Sequence, residues 1–241
     1  KNFNTLDAFD THNLIPEYFK ELNKINIENG TSSLISTGWD PGLFSLNRRL
    51  SEAILPKGMS YTFWGPGISQ GHSDAIRTIE GVRDAIQYTI PIEKNIEKIR
   101  KGENPKLETR DKHKRLCYVV LENGYREKEI RDKIVNMEDY FIDYDTEVNF
   151  ISYEELKKNH SKLPHGGRVI RNGLTGDNNK EIYEFALKLD SNPEFTSAVM
   201  LSYGRALYKL HKNGHKGTLT ILDIAPRDLL NMNRDEILKL I

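Results

Sequence analysis

The sequence contains one cysteine, Cys117, in 241 residues, so no internal disulfide can form and a reducing compartment is the simple reading. It has no excess of either charge: 35 Lys and Arg balance 35 Asp and Glu. That balance argues against a nucleic-acid partner, which demands a basic footprint. No apolar run reaches the ~18 residues of a membrane span, and no signal-peptide pattern is present. A soluble, cytoplasmic chain with no membrane partner is therefore expected. The histidines do not fall at metal-ligand spacing with cysteine or carboxylate partners, so no metal site is expected. G-x-S-x-G, G-x-G-x-x-G and P-loop motifs are missing, and Cys117 sits inside a β-prone run, a poor place for a nucleophile.

Two glycine-rich loops stand out against these absences. One is Tyr61-Thr-Phe-Trp-Gly-Pro-Gly-Ile-Ser-Gln-Gly-His-Ser-Asp74; the other is Ser36-Thr-Gly-Trp-Asp-Pro-Gly42. Glycine lets backbone amides approach a ligand closely, and proline fixes the path into that approach. A structural turn has no need of Trp64, Gln70, His72, Ser73 and Asp74 together. Loops of this kind at strand ends suggest a small polar ligand held over a sheet.

Periodicity predicts helices over Thr11 to Lys24, from Asp40 and Pro41 through Ile54, over Arg126 to Met137 and Tyr153 to Lys162, and from Asn192 to about Asn213. Strands are predicted at Ser32 to Ile35, Arg83 to Ile92, Leu116 to Leu121, Glu147 to Ser152, Ile182 to Asp190 and Thr218 to Ile224. The expected class is mixed, α/β at the two ends and α+β with an open sheet in the middle. The chain opens on Lys1 rather than Met, and its last predicted helix, Asn233 to Ile241, runs to the end. A piece of a longer chain is the expectation from those termini.

Individual groups carry competing readings. Asp40 suits a helix N-cap and equally a carboxylate facing a ligand ammonium. Trp39 beside it suits core packing or a ligand platform. Asp10 follows an apolar residue at a strand end, where α/β folds place substrate groups, and a solvated turn aspartate reads as well. His165, in Leu163-Pro-His-Gly-Gly167, is expected in an accessible loop. Arg115 closes the charged run Arg110-Asp-Lys-His-Lys-Arg115 and leads into a strand, where a guanidinium can grip a carboxylate bidentately.

The two loops, taken with Gln87-Tyr-Thr89, His113-Lys-Arg115, Glu147-Val-Asn-Phe-Ile151, Pro164-His-Gly-Gly167 and Leu187-Lys-Leu-Asp-Ser-Asn-Pro193, closely resemble the meso-diaminopimelate dehydrogenase family. The resemblance spans nearly the whole chain. It implies NADP-dependent oxidative deamination of the D-centre of meso-2,6-diaminopimelate to L-2-amino-6-oxopimelate and ammonia, a reversible step serving lysine and diaminopimelate biosynthesis. It also implies a Rossmann-type dinucleotide-binding domain with an inserted, open mixed-sheet substrate and dimerisation domain, assembled as a homodimer. On that pattern 1–42 is the C-terminal part of the N-terminal Rossmann-type lobe. Residues 43–191 form the substrate-binding and dimerisation domain, and 192–241 return to the dinucleotide lobe.

The family's glycine-rich fingerprint has no counterpart here. Matching residue by residue, the resemblance implies substrate contacts at Asp10, Asp40, Trp64, Gln70, Gly71, Thr89, Arg115, His165 and Asn192. Asp10 and Asp40 stand as the catalytic candidates, and Ala8, Phe9, Asp10, Thr37, Gly38, Trp39, Asp40 and Pro41 as the cofactor contacts. Two alternatives remain beside this reading: a non-catalytic substrate-binding and dimerising fragment, and a D-amino-acid dehydrogenase of broader specificity.

Overall fold

The computed structural model describes residues 3–241. In chain order they form β1 (Thr5–Leu6), α1 (Ile15–Asn29), β2 (Ser32–Leu34), α2 (Leu43–Ile54), β3 (Gly58–Trp64), β4 (Gly67–Ile68), α3 (Gln70–Arg77) and β5 (Val82–Pro91). There follow α4 (Glu93–Arg100), a single turn α5 (Thr109–Lys112), β6 (His113–Leu121), α6 (Glu127–Val135), β7 (Asp145–Phe150) and α7 (Tyr153–Asn159). The hairpin β8 (His165–Thr175) and β9 (Asn179–Leu189) leads into α8 (Asn192–Lys212) and β10 (Gly217–Leu219). Two short helices, α9 (Pro226–Leu229) and α10 (Arg234–Leu238), end the chain. These elements make two compact units, one from the chain up to Leu50 together with Pro193–Ile241, the other Ser51–Asn192.

The first unit is built on a parallel sheet in the order β1-β2-β10. Parallel strands need covered faces, and α8 supplies the cover with Val199, Tyr203, Ala206 and Leu207 packed on Leu34, Leu219 and Ile221. On α1, the buried Asn26 does structural work through its amide. Its Nδ2 donates to Ser33 Oγ at 2.7 Å and to Thr218 Oγ1 at 2.9 Å, and its Oδ1 accepts from Thr31 Oγ1 at 2.7 Å. One side chain thus joins the helix to both β2 and β10.

The second unit holds two sheets. β4-β5-β6-β7 is mixed, antiparallel up to β6 and parallel from β6 to β7. Ile76 of α3 and Ile130 and Ile134 of α6 cover one face, against Ala85, Cys117, Val119 and Val148. Burial pushes the Cys117 thiol up to about 12. β3-β8-β9 is antiparallel, with Tyr61, Phe63 and Ile170 packed on Ile96 and Ile99 of α4.

Several expectations shift in detail. The first helix begins at Ile15 after a 3-10 turn over His12–Leu14, and runs on to Asn29, where Gly30 at φ 64° ends it. The second helix starts at Leu43 rather than at Asp40, because the chain is still folded back on itself there: Gly38 and Trp39 bridge to Gly42, which sits at φ 133°, outside the helical region. The last strand stops at Leu219: Thr220 and Asp223 exchange capping bonds and turn the chain into a 3-10 helix. His165 is not in an open loop. It is the first residue of β8, an eleven-residue strand whose glycines hide its β character in the sequence.

Replacing Asn26 by Ala strands the hydroxyls it serves. We expect a loss of about 1–3 kcal/mol of stability, read as a lower urea midpoint at unchanged slope.

Candidate functional site

In the first unit, the loops after β1 and β2 leave the C-terminal ends of parallel strands, where α/β folds hold ligands. Asp7 ties them together. Its Oδ1 accepts from the N–H groups of Phe9 (3.0 Å) and Ser36 (3.1 Å), and its Oδ2 accepts from the Tyr18 hydroxyl at 2.7 Å. The Thr37 N–H donates to the Asp7 carbonyl at 2.9 Å. Burial, and then the Asp7 carboxylate, push Tyr18 up to about 12. Ala8, Phe9 and Asp10 are thereby held beside Thr37, Gly38 and Trp39. Sequence reading passed over Asp7, since a lone aspartate in a loop carries no signal of three inward bonds.

The second loop is closely folded on itself. A side chain at Gly42, which sits at φ 133°, would collide with the Gly38 backbone. Trp39 is buried and meets Phe44 edge-on at 5.2 Å. Asp40 has a nearly buried carboxylate paired with Arg48 at 2.6 Å, and Asp10 is exposed.

In the second unit, β4 is the organising element. Gly67 pairs with Thr89 on one side, while a side chain at Gly67 would strike the His165 ring and backbone on the other. The Ile68 N–H donates to the Pro164 carbonyl at 2.9 Å, and the Asn192 N–H to the Leu163 carbonyl at 2.9 Å. Thr89, His165 and Asn192 are thus gathered around one short strand. Arg115 joins them directly opposite Thr89 in the β5–β6 register, its Nη1 donating to Thr89 Oγ1 at 2.5 Å.

Arg115 is the electrostatic anomaly. It is 5% exposed, its guanidinium lies 3.8 Å from the Tyr144 ring centre, and its Nε has no hydrogen-bond partner. Among the described residues no carboxylate pairs with it. Burial pushes its pKa below the ordinary arginine value, while the Tyr144 hydroxyl opposes the shift. A buried cation without an anion is costly, and the fold tolerates it here beside a hydroxyl and a tyrosine ring.

Two further histidines surround this cation; the sequence sets His72 among the polar side chains of its glycine loop and gives His113 no separate role. His113 Nε2 accepts the Trp64 N–H at 2.8 Å, and the two rings lie 5.5 Å apart. Burial, then the charges of Arg115 and Lys112, push His113 down to about 3. His72 pairs with the Ser69 hydroxyl at 2.8 Å and meets Tyr140 and Phe141 edge-on. Burial and then Arg115 push it down to about 4. Gln70 and Gly71 open the same helix, and a side chain at Gly71 would meet nothing within 4 Å. Packing therefore does not require that glycine. In the neutral ring His165 Nδ1 faces both the Gly166 N–H at 2.8 Å and the Gly166 carbonyl at 3.0 Å, accepting from the first or donating to the second according to the tautomer. Burial lowers the pKa of His165, so that neutral ring is the form present at neutral pH.

The comparisons with known proteins agree on one family. Residues 38–191 match the model of the diaminopimelic acid dehydrogenase C-terminal domain. The chain belongs to the diaminopimelate dehydrogenase family. It is 54% identical over 237 residues to the meso-diaminopimelate D-dehydrogenase of Ureibacillus thermosphaericus, covering 98% of this chain and 72% of that one. A multiply substituted meso-diaminopimelate dehydrogenase from Clostridium tetani, solved with DAP, superposes with a TM-score of 0.94 at 52% identity. That match covers 98% of this chain and 73% of the other. An engineered D-amino acid dehydrogenase bound to NADP+ superposes at 0.83 with 40% identity, covering 97% and 73%. Family membership accords with the mixed α/β architecture and with the parallel sheet of the first unit. Among the described residues no group of side chains could hold a metal ion, and no helix is long and apolar enough to cross a membrane.

The neutral histidines carry a stability signature. Above pH 6.5 His72 and His113 are uncharged in both folded and unfolded chains and contribute no pH dependence. Below 6.5 the unfolded chain takes up these protons first, while the folded chain waits until about 4 and about 3. Stability therefore falls between pH 6.5 and 4, by up to about 1.4 kcal/mol per pH unit per histidine. Urea midpoints taken from pH 7 to pH 5 check this, and His113→Gln should flatten the curve. A wild-type midpoint constant over that range contradicts it.

Proposed function

We propose that this chain carries out the NADP-dependent oxidative deamination of the D-centre of meso-2,6-diaminopimelate, giving L-2-amino-6-oxopimelate and ammonia. The observation that carries the substrate assignment is the buried, carboxylate-free Arg115 held by Thr89. It suits the carboxylate of the non-reacting L-centre, with His165 and Asn192 completing the set. The Clostridium tetani variant supports the same group: it is substituted at a Gln, a Thr, an Arg, a Pro, a His and an Asn. The intervals between those positions are the intervals between Gln70, Thr89, Arg115, Pro164, His165 and Asn192 here. A dehydrogenase of broader D-amino-acid specificity would have no use for a second carboxylate clasp, and a fragment that only binds would do so without turnover.

At the reacting end, Trp64, Gln70 and the Gly71 amide hold the D-carboxylate and its carbon. Asp10 and Asp40 accept from the ammonium and turn the C–H toward the hydride acceptor. Asp40 is fixed for that purpose by Arg48. NADP, when bound, accepts the hydride. Ala8, Phe9, Asp10 and Thr37 to Pro41 are the residues that would hold it, and the buried, unpartnered Ser36 hydroxyl in that loop suits a polar ligand there. Loss of hydride leaves an imine, which water hydrolyses to the ketone and ammonia; Asp10 and Asp40 are the groups available to take up the proton released. Positioning supplies most of the rate, because hydride transfer is the cofactor's chemistry.

The domain organisation belongs to the same proposal: 1–42 and 192–241 in the dinucleotide lobe, 43–191 for substrate binding and dimerisation. We place a homodimer contact on the outer face of β5 and β6, where Ile86, Ile90 and Leu116 are apolar and only half-buried. We propose a cytoplasmic location as well.

NADPH formation with meso-diaminopimelate tests the function, and equal turnover of the LL isomer would refute the stereochemical assignment. Arg115→Met removes an uncompensated cation. It should leave stability unchanged or raised while weakening diaminopimelate binding by about 2–5 kcal/mol and sparing NADP. Calorimetry and a urea titration measure the two effects, and unchanged substrate affinity would remove Arg115 from the site. Leu116→Glu should convert a dimer to a monomer in sedimentation.

A further inference from the structure

Gln87 is completely buried on the face of β5 that otherwise carries Ala85 toward the core, opposite Cys117 and next to Thr89. An amide among apolar neighbours needs a reason. Its Nε2 donates to Thr89 Oγ1 at 3.4 Å, and its Oε1 accepts from nothing. Its backbone N–H is taken by Ser73 Oγ at 2.9 Å, so the residue is anchored from both ends. A leucine or methionine would fill this space without leaving a buried acceptor unsatisfied.

The consequence appears at Thr89. A hydroxyl has two lone pairs and one proton. Arg115 Nη1 and Gln87 Nε2 both donate to Thr89 Oγ1, which fills both lone pairs. The Thr89 proton must then be donated away from these two groups. With the amide reversed, Oε1 would accept that proton and the hydroxyl would be lost as a donor.

We infer that Gln87 is a positioning residue for the substrate: it fixes Thr89 as a hydrogen-bond donor to the carboxylate that Arg115 receives. Gln87 touches no substrate and acts through Thr89 alone. The inference rests on the proposed role of Thr89 and Arg115 as carboxylate ligands.

A double-mutant cycle reads it, with diaminopimelate affinity measured by calorimetry and KM and kcat measured by turnover. Gln87→Met should weaken diaminopimelate binding about fivefold with kcat and the KM for NADP unchanged. In a Thr89→Val background the same change should add nothing, since the hydroxyl it orients is gone. Gln87→Glu offers only acceptors beside Arg115. It turns the Thr89 proton inward and competes for the cation, so affinity should fall by about 20-fold or more near neutral pH and recover as the introduced carboxyl is protonated.

A fivefold loss that persists in Thr89→Val would show that Gln87 acts by packing, and overturns the inference while leaving the carboxylate site intact. Wild-type affinity in Thr89→Val would remove Thr89 from the site and overturn both. Should Gln87→Met not fold, the pH recovery of Gln87→Glu decides: a loss independent of pH overturns the inference.

Discussion

The second unit is organised around a positive charge that the fold does not neutralise. Arg115 lies under the core face of a mixed sheet, with a threonine hydroxyl and a tyrosine ring as its company. Charges of this kind are retained at a cost in stability, and the cost is recovered when an anion arrives. The surroundings follow from that choice. His72 and His113 are kept neutral, chiefly by burial, and Arg115 pushes each further in the same direction. Neutral rings can accept hydrogen bonds, and His113 uses that capacity to hold Trp64 in place. Burial and the neighbouring cation thus act in the same direction on both rings, and neutral His113 holds the Trp64 backbone.

Close approach is the second constraint. β4 is only two residues long, yet Gly67 touches both the strand that carries Thr89 and the residue that opens β8. Any side chain there would collide with the ring and backbone of His165. The Trp64-Gly-Pro-Gly67 string is thus a spacer whose virtue is its thinness. The Asp40 loop uses the same device, since only glycine at position 42 lets its backbone fold onto Gly38.

Much of this was legible in the sequence. The glycine loops stood out because their side chains exceeded what a turn needs, and Ile130 and Ile134 on α6 announced a buried face by their spacing. Arg115 could be placed at a strand entrance, and it lies inside β6. Other features were hidden for physical reasons. His165 looked exposed because two glycines follow it, although β8 and β9 pair through both of them. Asp40 looked like a helix cap because the competing partner, Arg48, lies eight residues away on the helix itself. Asp7 and His113 hold partners 29 and 49 residues distant, and Gln87 is held by the Ser73 hydroxyl 14 residues away; no local pattern encodes such bonds.

The buried thiol has a practical side. Cys117 is wholly enclosed in the sheet core and resists ionisation, and it is the only native cysteine. Thiolate, not thiol, reacts with maleimides and iodoacetamides. The wild-type protein therefore presents an almost silent background to thiol reagents. A single cysteine placed at a surface position becomes the one labelling point for fluorescence or spin resonance, without first removing any native residue.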